Sequence, residues 1–407
     1  MNVKVACVGG GPAGLYLSIL LKLRDPSHDI TVHERNPEGS TYGWGVTYWR
    51  GLLDRLHAHD PASARAVEEH SVRWRDGVAH VGGHTVRHHG DEGFGIGRHR
   101  LLEILAARAR ALGVRLEHEH EVRADRLPDA DLVVAADGVG SALRTRYAGH
   151  FGTEVRAGRN HYIWLGTTKV FDAFTFAFAE TDHGWIWAYG YGYGYGPGGS
   201  TCVVECAPET WSGLGLDRAD EAEGLVVLEK LFADVLDGHP LTGRSGRGAG
   251  ASWLTFRTLT NRTWSRGNLV LLGDAAHTTH YSIGAGTTLA LEDAMSLAAA
   301  LGEPVALRDA LARYEQERRA ALLPVQSAAR HSAQWYENLP RYIRLPPQEM
   351  FALLGQRHSP LLPYVPPRLY HRIDRAAGRL ETLRRLKRRL GPRIARTVEA
   401  RNLAARG

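Results

Sequence analysis

A glycine-rich loop near the start of the chain holds residue types suited to binding a phosphate group. Gly9, Gly11 and Gly14 stand at G-x-G-x-x-G spacing in "VACVGGGPAGLYLSILL". Pro12 and Ala13 fill the two positions before the third glycine. The loop follows an apolar run and opens a predicted helix, so its backbone N–H groups can meet a pyrophosphate where no Cβ blocks the approach. This spacing predicts a dinucleotide site.

An acidic residue follows the glycine loop at the position expected for a ribose contact. Glu34 ends the next predicted strand, in "HDITVHERN", and Arg35 comes directly after it. At that position a carboxylate accepts hydrogen bonds from a ribose diol. Since NAD and FAD carry the same ADP half, this acid alone does not choose between them.

A second small-residue loop, in "LVLLGDAAHTTHYSIGAGTTLALEDA", follows another predicted strand much later in the chain. Asp274 lies at the end of that strand, and a helix is predicted to begin in the run Gly284, Ala285, Gly286 and Thr287. The N–H groups and partial positive charge of a helix N-terminus suit a flavin N1–C2=O, which becomes anionic on reduction. We therefore expect FAD, with Asp274 on its ribityl chain.

The order of these motifs resembles the single-component FAD-dependent aromatic monooxygenases, the group with the para-hydroxybenzoate hydroxylase fold. Besides the two glycine loops and Glu34, the resemblance rests on Arg98, which opens a predicted helix, and on Asp137 in "DLVVAADGVGSALR". It implies an α/β fold in which a Rossmann-type FAD-binding domain is interwoven with an antiparallel-sheet substrate domain and followed by C-terminal helices. The expected boundaries are 1–155 and 265–345 for the FAD-binding domain, with some substrate-domain strands between its motifs, 156–264 for the substrate domain and 346–407 for the C-terminal helical segment.

Aromatic residues alternate with smaller ones along two predicted strands of the substrate domain. They are Phe174, Phe176 and Phe178 on the first strand and Trp185, Trp187, Tyr189 and Tyr191 on the second. A period of two on either side of the turn "ETDHG" predicts an antiparallel hairpin. Two roles stay open for the tryptophans: packing within the core, or an aromatic wall for a flat ligand.

A closer resemblance, in "AHTTHYSIGAGTTLALEDA" and "YEQERRAALLPVQSAARHSAQWYEN", is to the branch with salicylyl-CoA and aminobenzoyl-CoA hydroxylases and actinomycete indole oxygenases. It implies that reduced flavin and O₂ form a C4a-hydroperoxide, which hydroxylates an electron-rich aromatic substrate in secondary metabolism. NADH or NADPH would reduce the flavin, directly or through a partner flavin reductase. The 407 residues leave no room for the second flavin domain of many thioester enzymes, so we expect an indole-like substrate. An aromatic acyl-CoA hydroxylase, and a reductase or dehydrogenase on the same fold, remain alternatives.

Candidate substrate and flavin contacts come from the loop before the second helix and from "YGWGVTYWRG". The resemblance places His280 and Tyr281 near the reactive edge of the flavin as catalytic candidates, with the alternative that both only hold the loop. Val46 and Thr47 would line the isoalloxazine ring, since the glycines beside them permit a close approach. Arg50 is left open between a contact to a substrate anion and an ion pair.

Composition sets limits on other functions. The chain has 407 residues, 43% of them hydrophobic, and a net charge of +6, which is ordinary for a globular enzyme. In its basic C-terminal stretch Leu380, Leu383, Leu386 and Leu390 recur at helical spacing, which indicates an amphipathic helix and not a nucleic-acid site. No apolar run reaches membrane-spanning length and no signal peptide opens the chain. From these two observations we expect a cytoplasmic protein. The histidines and the three cysteines lack metal-ligand spacing, so we expect no bound metal.

Overall fold

The computed structural model describes residues 3–41, 43–194, 199–243, 252–379, 393 and 395–401 of the chain. The strands are β1 Lys4–Val8, β2 Asp29–His33, β3 Gly45–Trp49, β4 Val72–Val81, β5 His84–Gly97, β6 Arg115–Glu117, β7 Leu132–Ala135, β8 Glu154–Thr167, β9 Phe174–Thr181, β10 Gly184–Gly192, β11 Ser200–Cys206, β12 Leu241–Thr242, β13 Leu254–Thr260, β14 Ser265–Arg266 and β15 Leu269–Leu271. The α-helices are α1 Pro12–Arg24, α2 Arg50–His59, α3 Pro61–Glu69, α4 Arg98–Ala111, α5 Ala142–Arg146, α6 Ala148–Phe151, α7 Pro208–Gly213, α8 Glu221–Leu231, α9 Ala233–Leu236, α10 Gly286–Leu301, α11 Leu307–Glu337, α12 Pro347–Gly355 and α13 Pro367–Arg379. Short 3-10 helices lie at Gly273–Ala275, Tyr281–Ile283, Leu339–Arg341 and Leu362–Tyr364.

The first glycine loop leaves the central strand of a parallel sheet. The strand order is β14-β15-β7-β1-β2-β6, and neighbouring strands are parallel except for β14 with β15. All four residues of β7 are buried, as expected for a strand covered on both faces. Because the carboxyl ends of parallel strands meet at one edge, this sheet brings the turns after β1, β7 and β15 together. It confirms the Rossmann-type half of the predicted fold.

A larger sheet forms the second layer. Its strand order is β12-β8-β11-β10-β9-β4-β5-β3, with β13 also paired to β8. Strands β9 and β10 form the predicted hairpin, in which Trp187 pairs with Phe178 and Tyr189 with Phe176. The sheet differs from the expected antiparallel one at the parallel pair of β4 and β9, because the chain crosses to the parallel sheet and back between these strands.

Helices enclose both sheets. Helices α1, α4 and α10 cover the parallel sheet around a core that contains Tyr16, Val134 and Leu297. A second core, with Trp187 and Trp335, lies between the larger sheet and the C-terminal helices. The predicted leucine-lined helix, with Leu380, Leu383, Leu386 and Leu390, lies outside the described residues. Within the ranges given above, no helix combines the length and the apolar character needed to cross a membrane.

Candidate functional site

The two glycine-rich loops lie side by side at the carboxyl edge of the parallel sheet. A Cβ at Gly273, two residues after β15, would lie 3.1 Å from the Cβ of Ala13 in α1. Gly9 has a φ of +113°, and a Cβ there would lie 2.3 Å from the backbone oxygen of Ala136 after β7. The fold therefore gathers at one place three turns that are far apart in the sequence.

Gly11 is the glycine of the first loop that borders open space. A Cβ at Gly11 would meet no atom within 4 Å, whereas a Cβ at Gly14 would lie 2.4 Å from the backbone oxygen of Gly9. Helix α1 begins here with Pro12 in its first turn and has no side-chain cap, so its first N–H groups stay available. An open helix N-terminus without a Cβ in front of it fits the pyrophosphate of FAD.

Glu34 is held next to this loop. Its Oε2 accepts the N–H of Gly10 at 2.8 Å, and its Oε1 accepts the side-chain and backbone N–H groups of Asn36 at 2.6 and 2.9 Å. Arg35 beside it is exposed. The carboxylate is thus fixed at the end of β2, beside the glycine loop, where a nucleotide ribose would reach it.

Three side chains near Glu34 bring possible metal-ligand atoms together. These atoms of His33, Glu117 and His120 all lie within 4.8 Å of one another. His33 Nδ1 lies 2.9 Å from Glu117 Oε2, and the rings of His33 and His120 are 4.7 Å apart. Burial lowers the pKa of His33, which favours the neutral imidazole in this cluster.

A cavity of about 1350 Å³ extends from the turn after β15 to the aromatic face of the larger sheet. Predicted residues on its walls are Val46, Thr47, Arg98, Asp274, Tyr281, Gly284, Ala285, Gly286 and Thr287. Helix α10 begins at this wall without a side-chain cap, so unpaired N–H groups are available there. Gly284 has a φ of +62°, and a Cβ at this position would lie 2.7 Å from Oγ1 of Thr47, which explains why a glycine is needed where the loop meets β3.

Opposite charges lie on one wall of the cavity. Burial lowers the pKa of Arg98, against the effect of Asp274, and the Arg98 Nε is buried without a hydrogen-bond partner among the described residues. The Asp274 carboxylate is open to the cavity but enclosed by protein, and this enclosure raises its pKa although His277 and Arg98 act in the opposite direction. Just after the neighbouring strand β7, Oδ1 of Asp137 is also buried and unpartnered within the described part of the chain. Unpartnered buried polar atoms fit a site that a polar ligand completes.

Aromatic side chains of the hairpin form another wall of the cavity. Phe174, Phe176, Tyr189 and Tyr191 line it, and the Phe174 ring is stacked against Tyr189 and Tyr191 with centroids 5.9 and 5.5 Å apart. Trp187, in contrast, is 2% exposed and stacks on Tyr336 at 5.5 Å within the core. Of the two roles considered for this tryptophan, the structure supports packing.

Tyr281 bonds to a buried carboxylate that the sequence reasoning missed. Its hydroxyl donates a hydrogen bond of 2.6 Å to Oε2 of Glu205, and Nδ2 of Asn160 donates one of 2.7 Å to Oε1. Glu205 is 1% exposed. Burial raises the pKa of Glu205 to about 7, although both hydrogen bonds act in the opposite direction. The only signal in the sequence was one acidic residue in the apolar strand "TCVVEC".

His280 lies behind Tyr281 and not on the cavity wall. Its ring stacks on Tyr281 with centroids 4.4 Å apart, and its Nδ1 lies 2.9 Å from Oγ of Ser282. Burial and the positive charge of Arg357 lower the pKa of His280 to about 3, so its imidazole is neutral at physiological pH. Of the two catalytic candidates, Tyr281 is the one that lines the cavity.

Two arginines near the cavity have different surroundings. Arg50 donates to Glu92, with its Nε 3.1 Å from Oε2, so the ion pair considered for this residue is present. Arg357, from the C-terminal helical segment, lines the cavity and donates to the backbone oxygens of Ser282 and Leu354 at 2.8 and 2.9 Å. Arg357 therefore ties this segment to the loop that carries Tyr281, a contact for which the sequence held no signal.

Sequence comparison finds relatives over most of the chain. The family described as FAD binding domain matches residues 125–327. The chain is 40% identical over 352 residues to salicyloyl-CoA 5-hydroxylase from a Streptomyces species, covering 84% of this chain and 67% of that protein. It is 38% identical over 338 residues to 3-hydroxy-4-methyl-anthranilyl-(aryl-carrier protein) 5-monooxygenase from Streptosporangium sibiricum, covering 83% and 90% of the two chains.

Structural comparison agrees with the fold described above. The structure of P. aeruginosa PqsL in complex with 2-aminobenzoylacetate superposes with a TM-score of 0.66 at 20% sequence identity. The match covers 84% of this chain and 99% of that chain. The two chains therefore share the arrangement of a parallel sheet and a larger mixed sheet.

Proposed function

We propose that this chain, which belongs to the FAD-dependent aromatic monooxygenases, hydroxylates an electron-rich aromatic small molecule in secondary metabolism. The observation that carries the proposal is the continuity of the cavity. It runs from Arg98 and Asp274, beside the two glycine loops, to the aromatic wall with Phe176 and Tyr189. A flat substrate against that wall would lie next to a cofactor held by the loops.

The groups that would hold FAD come from four strand ends and two helix N-termini. Glu34 would bind the ribose, and the open N-terminus of α1 at Gly11 would receive the pyrophosphate. Arg98 and Asp274 would bind polar groups between the ADP half and the flavin, and the N-terminus of α10 would face N1–C2=O. When bound, the flavin supplies the activation of O₂ and the transfer of one oxygen atom to the aromatic ring.

The protein itself must orient the substrate and exclude water. Phe174, Phe176, Tyr189 and Tyr191 offer ring faces and edges for an aromatic ligand. Tyr281 also lines this wall, and its hydroxyl would fix the orientation of a substrate that reaches it. A substrate packed against these apolar rings would displace water from the reacting atoms and so limit unproductive loss of activated oxygen.

Reducing equivalents would come from NADH or NADPH, directly or through a partner flavin reductase. We place the chain in the cytoplasm, where both nucleotides are available. The buried cysteines Cys7, Cys202 and Cys206 are all free thiols, which is typical of a reducing compartment.

A second candidate function is hydroxylation of an aromatic acyl thioester. The 40% identity to a salicyloyl-CoA 5-hydroxylase favours it. In that case the aromatic acyl group would occupy the wall of Phe176 and Tyr189, and the carrier would extend out of the cavity. Free indoles and salicyloyl-CoA, tested side by side, separate the two substrate classes.

The test is reduction of the purified holoenzyme under anaerobic conditions, followed by isotope-labelled O₂. NADH or NADPH should bleach the flavin absorbance, and O₂ with a fitting aromatic substrate should give a product with one labelled oxygen atom. Without such a substrate, the reaction should yield H₂O₂. Product formation under strict anaerobiosis, or oxygen derived from water alone, would contradict the monooxygenase proposal and favour a dehydrogenase.

A further inference from the structure

We infer that Glu205 is a positioning residue, which turns the hydroxyl of Tyr281 so that its oxygen accepts a hydrogen bond from an N–H or O–H group of the substrate. The inference rests on the proposed function and concerns the class of aromatic molecule that the cavity selects. Glu205 does not line the cavity itself, and Tyr281 does, so Glu205 acts through Tyr281.

The hydroxyl of Tyr281 has one proton, and that proton is committed. It is donated to Oε2 of Glu205 over 2.6 Å, so the phenolic oxygen can only accept from any other partner. The Tyr281 side chain has aromatic neighbours, with the ring centroids of Tyr162 and Phe256 at 4.4 and 5.7 Å from that of Tyr281. A substrate without a donor would leave this acceptor unpaired in an apolar wall, which is the kind of mismatch that gives strong discrimination.

The groups around Glu205 suit a carboxylate that positions the Tyr281 hydroxyl and not one that forms an ion pair. Those that interact with it are Tyr281, Asn160, Trp187, Glu337, Cys206, Tyr189 and Tyr336, and its strand partners are Tyr162 on β8 and Trp187 on β10. Glu337 is a like charge and raises the pKa of Glu205 further. Within the described residues Glu205 has no salt bridge to a cation. Its carboxylate is therefore held by neutral hydrogen-bond donors.

Protonation of Glu205 changes what Tyr281 offers to the cavity. As a carboxylate, Glu205 accepts the Tyr281 proton, and the cavity meets an acceptor. As a carboxylic acid, Glu205 can donate its own proton to the Tyr281 oxygen, and the tyrosine hydrogen is then released toward the cavity. Because burial raises the pKa of Glu205 to about 7, both forms exist near neutral pH. The preference for donor-bearing substrates should therefore increase with pH.

Two isomeric probes test this preference without a known substrate. 3-Methylindole and 1-methylindole have the same size, but only the first has a ring N–H, and neither titrates near neutral pH. Calorimetric titration of the oxidised holoenzyme should show about tenfold tighter binding of 3-methylindole at about pH 8, with a ratio that falls toward one at about pH 6. Glu205→Gln should remove the pH dependence of the ratio. Tyr281→Phe, which removes the hydroxyl and with it both the acceptor and the bond to Glu205, should give a ratio near one at both pH values.

The matched control is Glu209→Gln, the same chemical change at an exposed carboxylate paired with Arg159, and it should keep the wild-type ratios. If Glu205→Gln fails to fold or to retain FAD, the binding ratios of Tyr281→Phe and of the wild type across the pH series still test the inference. A wild-type ratio that is equal at both pH values, or a Glu205→Gln ratio that still changes with pH, overturns the inference. Ligand binding to the oxidised protein needs no oxygen transfer. Failure of the labelled-O₂ experiment would therefore overturn the proposed function without changing the binding ratios measured here.

Discussion

His277 Nε2 lies 2.8 Å from Oδ2 of Asp293, and both side chains are almost completely buried. The same carboxylate accepts Nε of Arg318 at 2.6 Å and the backbone N–H of Gly273 at 3.2 Å. Since Gly273 directly precedes Asp274, this buried network fixes the turn that brings Asp274 to the cavity. His277 thus has a buried structural partner and does not line the cavity.

Asp293→Asn is expected to destabilise the fold by about 3 kcal/mol, because buried Arg318 would lose its shorter ion pair and keep only the contact with Glu292 at 3.2 Å. Burial raises the pKa of Asp293, but His277 and Arg318 outweigh this effect and lower it overall. The stabilisation is therefore present above the ordinary aspartate pKa and is lost as the pH falls through the lowered value. Urea denaturation of both proteins at a series of pH values measures it. The exposed Asp182→Asn serves as the control and should change little.

Gly11→Val is expected to abolish FAD binding and to leave the fold intact. The Cβ position of Gly11 meets no protein atom within 4 Å, so the added side chain enters only the space proposed for the pyrophosphate. Cofactor content after purification and circular dichroism measure the two effects. Gly149→Val, at another glycine with open space around its Cβ, is the matched control and should retain FAD. Full FAD occupancy in Gly11→Val would place the pyrophosphate elsewhere.

Asp274→Ala is expected to weaken FAD binding by about 1–3 kcal/mol, because a hydrogen bond to the ligand is lost at the cavity wall without creating a core cavity. The variant should remain folded, since Asp274 is open to the cavity. Fluorescence titration of the apoprotein with FAD gives the dissociation constant. Unchanged affinity would mean that Asp274 does not contact the cofactor.

Glu205→Gln is expected to become more stable relative to the wild type as the pH rises. Burial raises the pKa of Glu205 from 4.5 to about 7. The protonated carboxyl is therefore favoured in the folded state, and its contribution is complete below the ordinary pKa and lost as the pH rises through about 7. The difference between the two proteins should change by about 3 kcal/mol from about pH 4 to pH 9 in chemical denaturation. If the free energies of unfolding of the two proteins changed in parallel with pH, ionisation of Glu205 would not destabilise the native state.

Residues with a local sequence signal could be predicted. The glycine spacing at Gly11, the acid at Glu34 and the small-residue run at Gly286 each mark a strand end or helix start within a few residues. The structure places Glu34 beside the loop of Gly11, and Gly286 on the cavity wall. The period-two aromatic pattern predicted the β9–β10 hairpin, which is confirmed. The parallel pairing of β4 with β9 was not predictable, because alternation shows which face of a strand is buried but not which strand lies next to it.

Glu205 shows why part of the site could not be found from the sequence. Its partners Tyr281 and Asn160 lie 76 and 45 residues away, and the bonds exist only after β8, β11 and the loop before α10 have packed together. Arg357 also contacts this loop, and it lies 75 residues after its partner Ser282 in the sequence. A single acidic residue in an apolar strand indicates a special environment, but only the fold shows which groups create it.

The pairing of β7 with β15 has a consequence for how the protein is made. These strands are neighbours in the parallel sheet, although β8 to β13 of the larger sheet lie between them in the chain. Closing so long a loop costs entropy before any contact compensates for it, so this pairing forms late in folding. A nascent chain on the ribosome lacks β15 and the start of α10 until most of its length has been synthesised. We therefore expect FAD to be captured only after the chain has been synthesised beyond the start of α10, and, as a ligand of the native state alone, to draw the last folding step to completion.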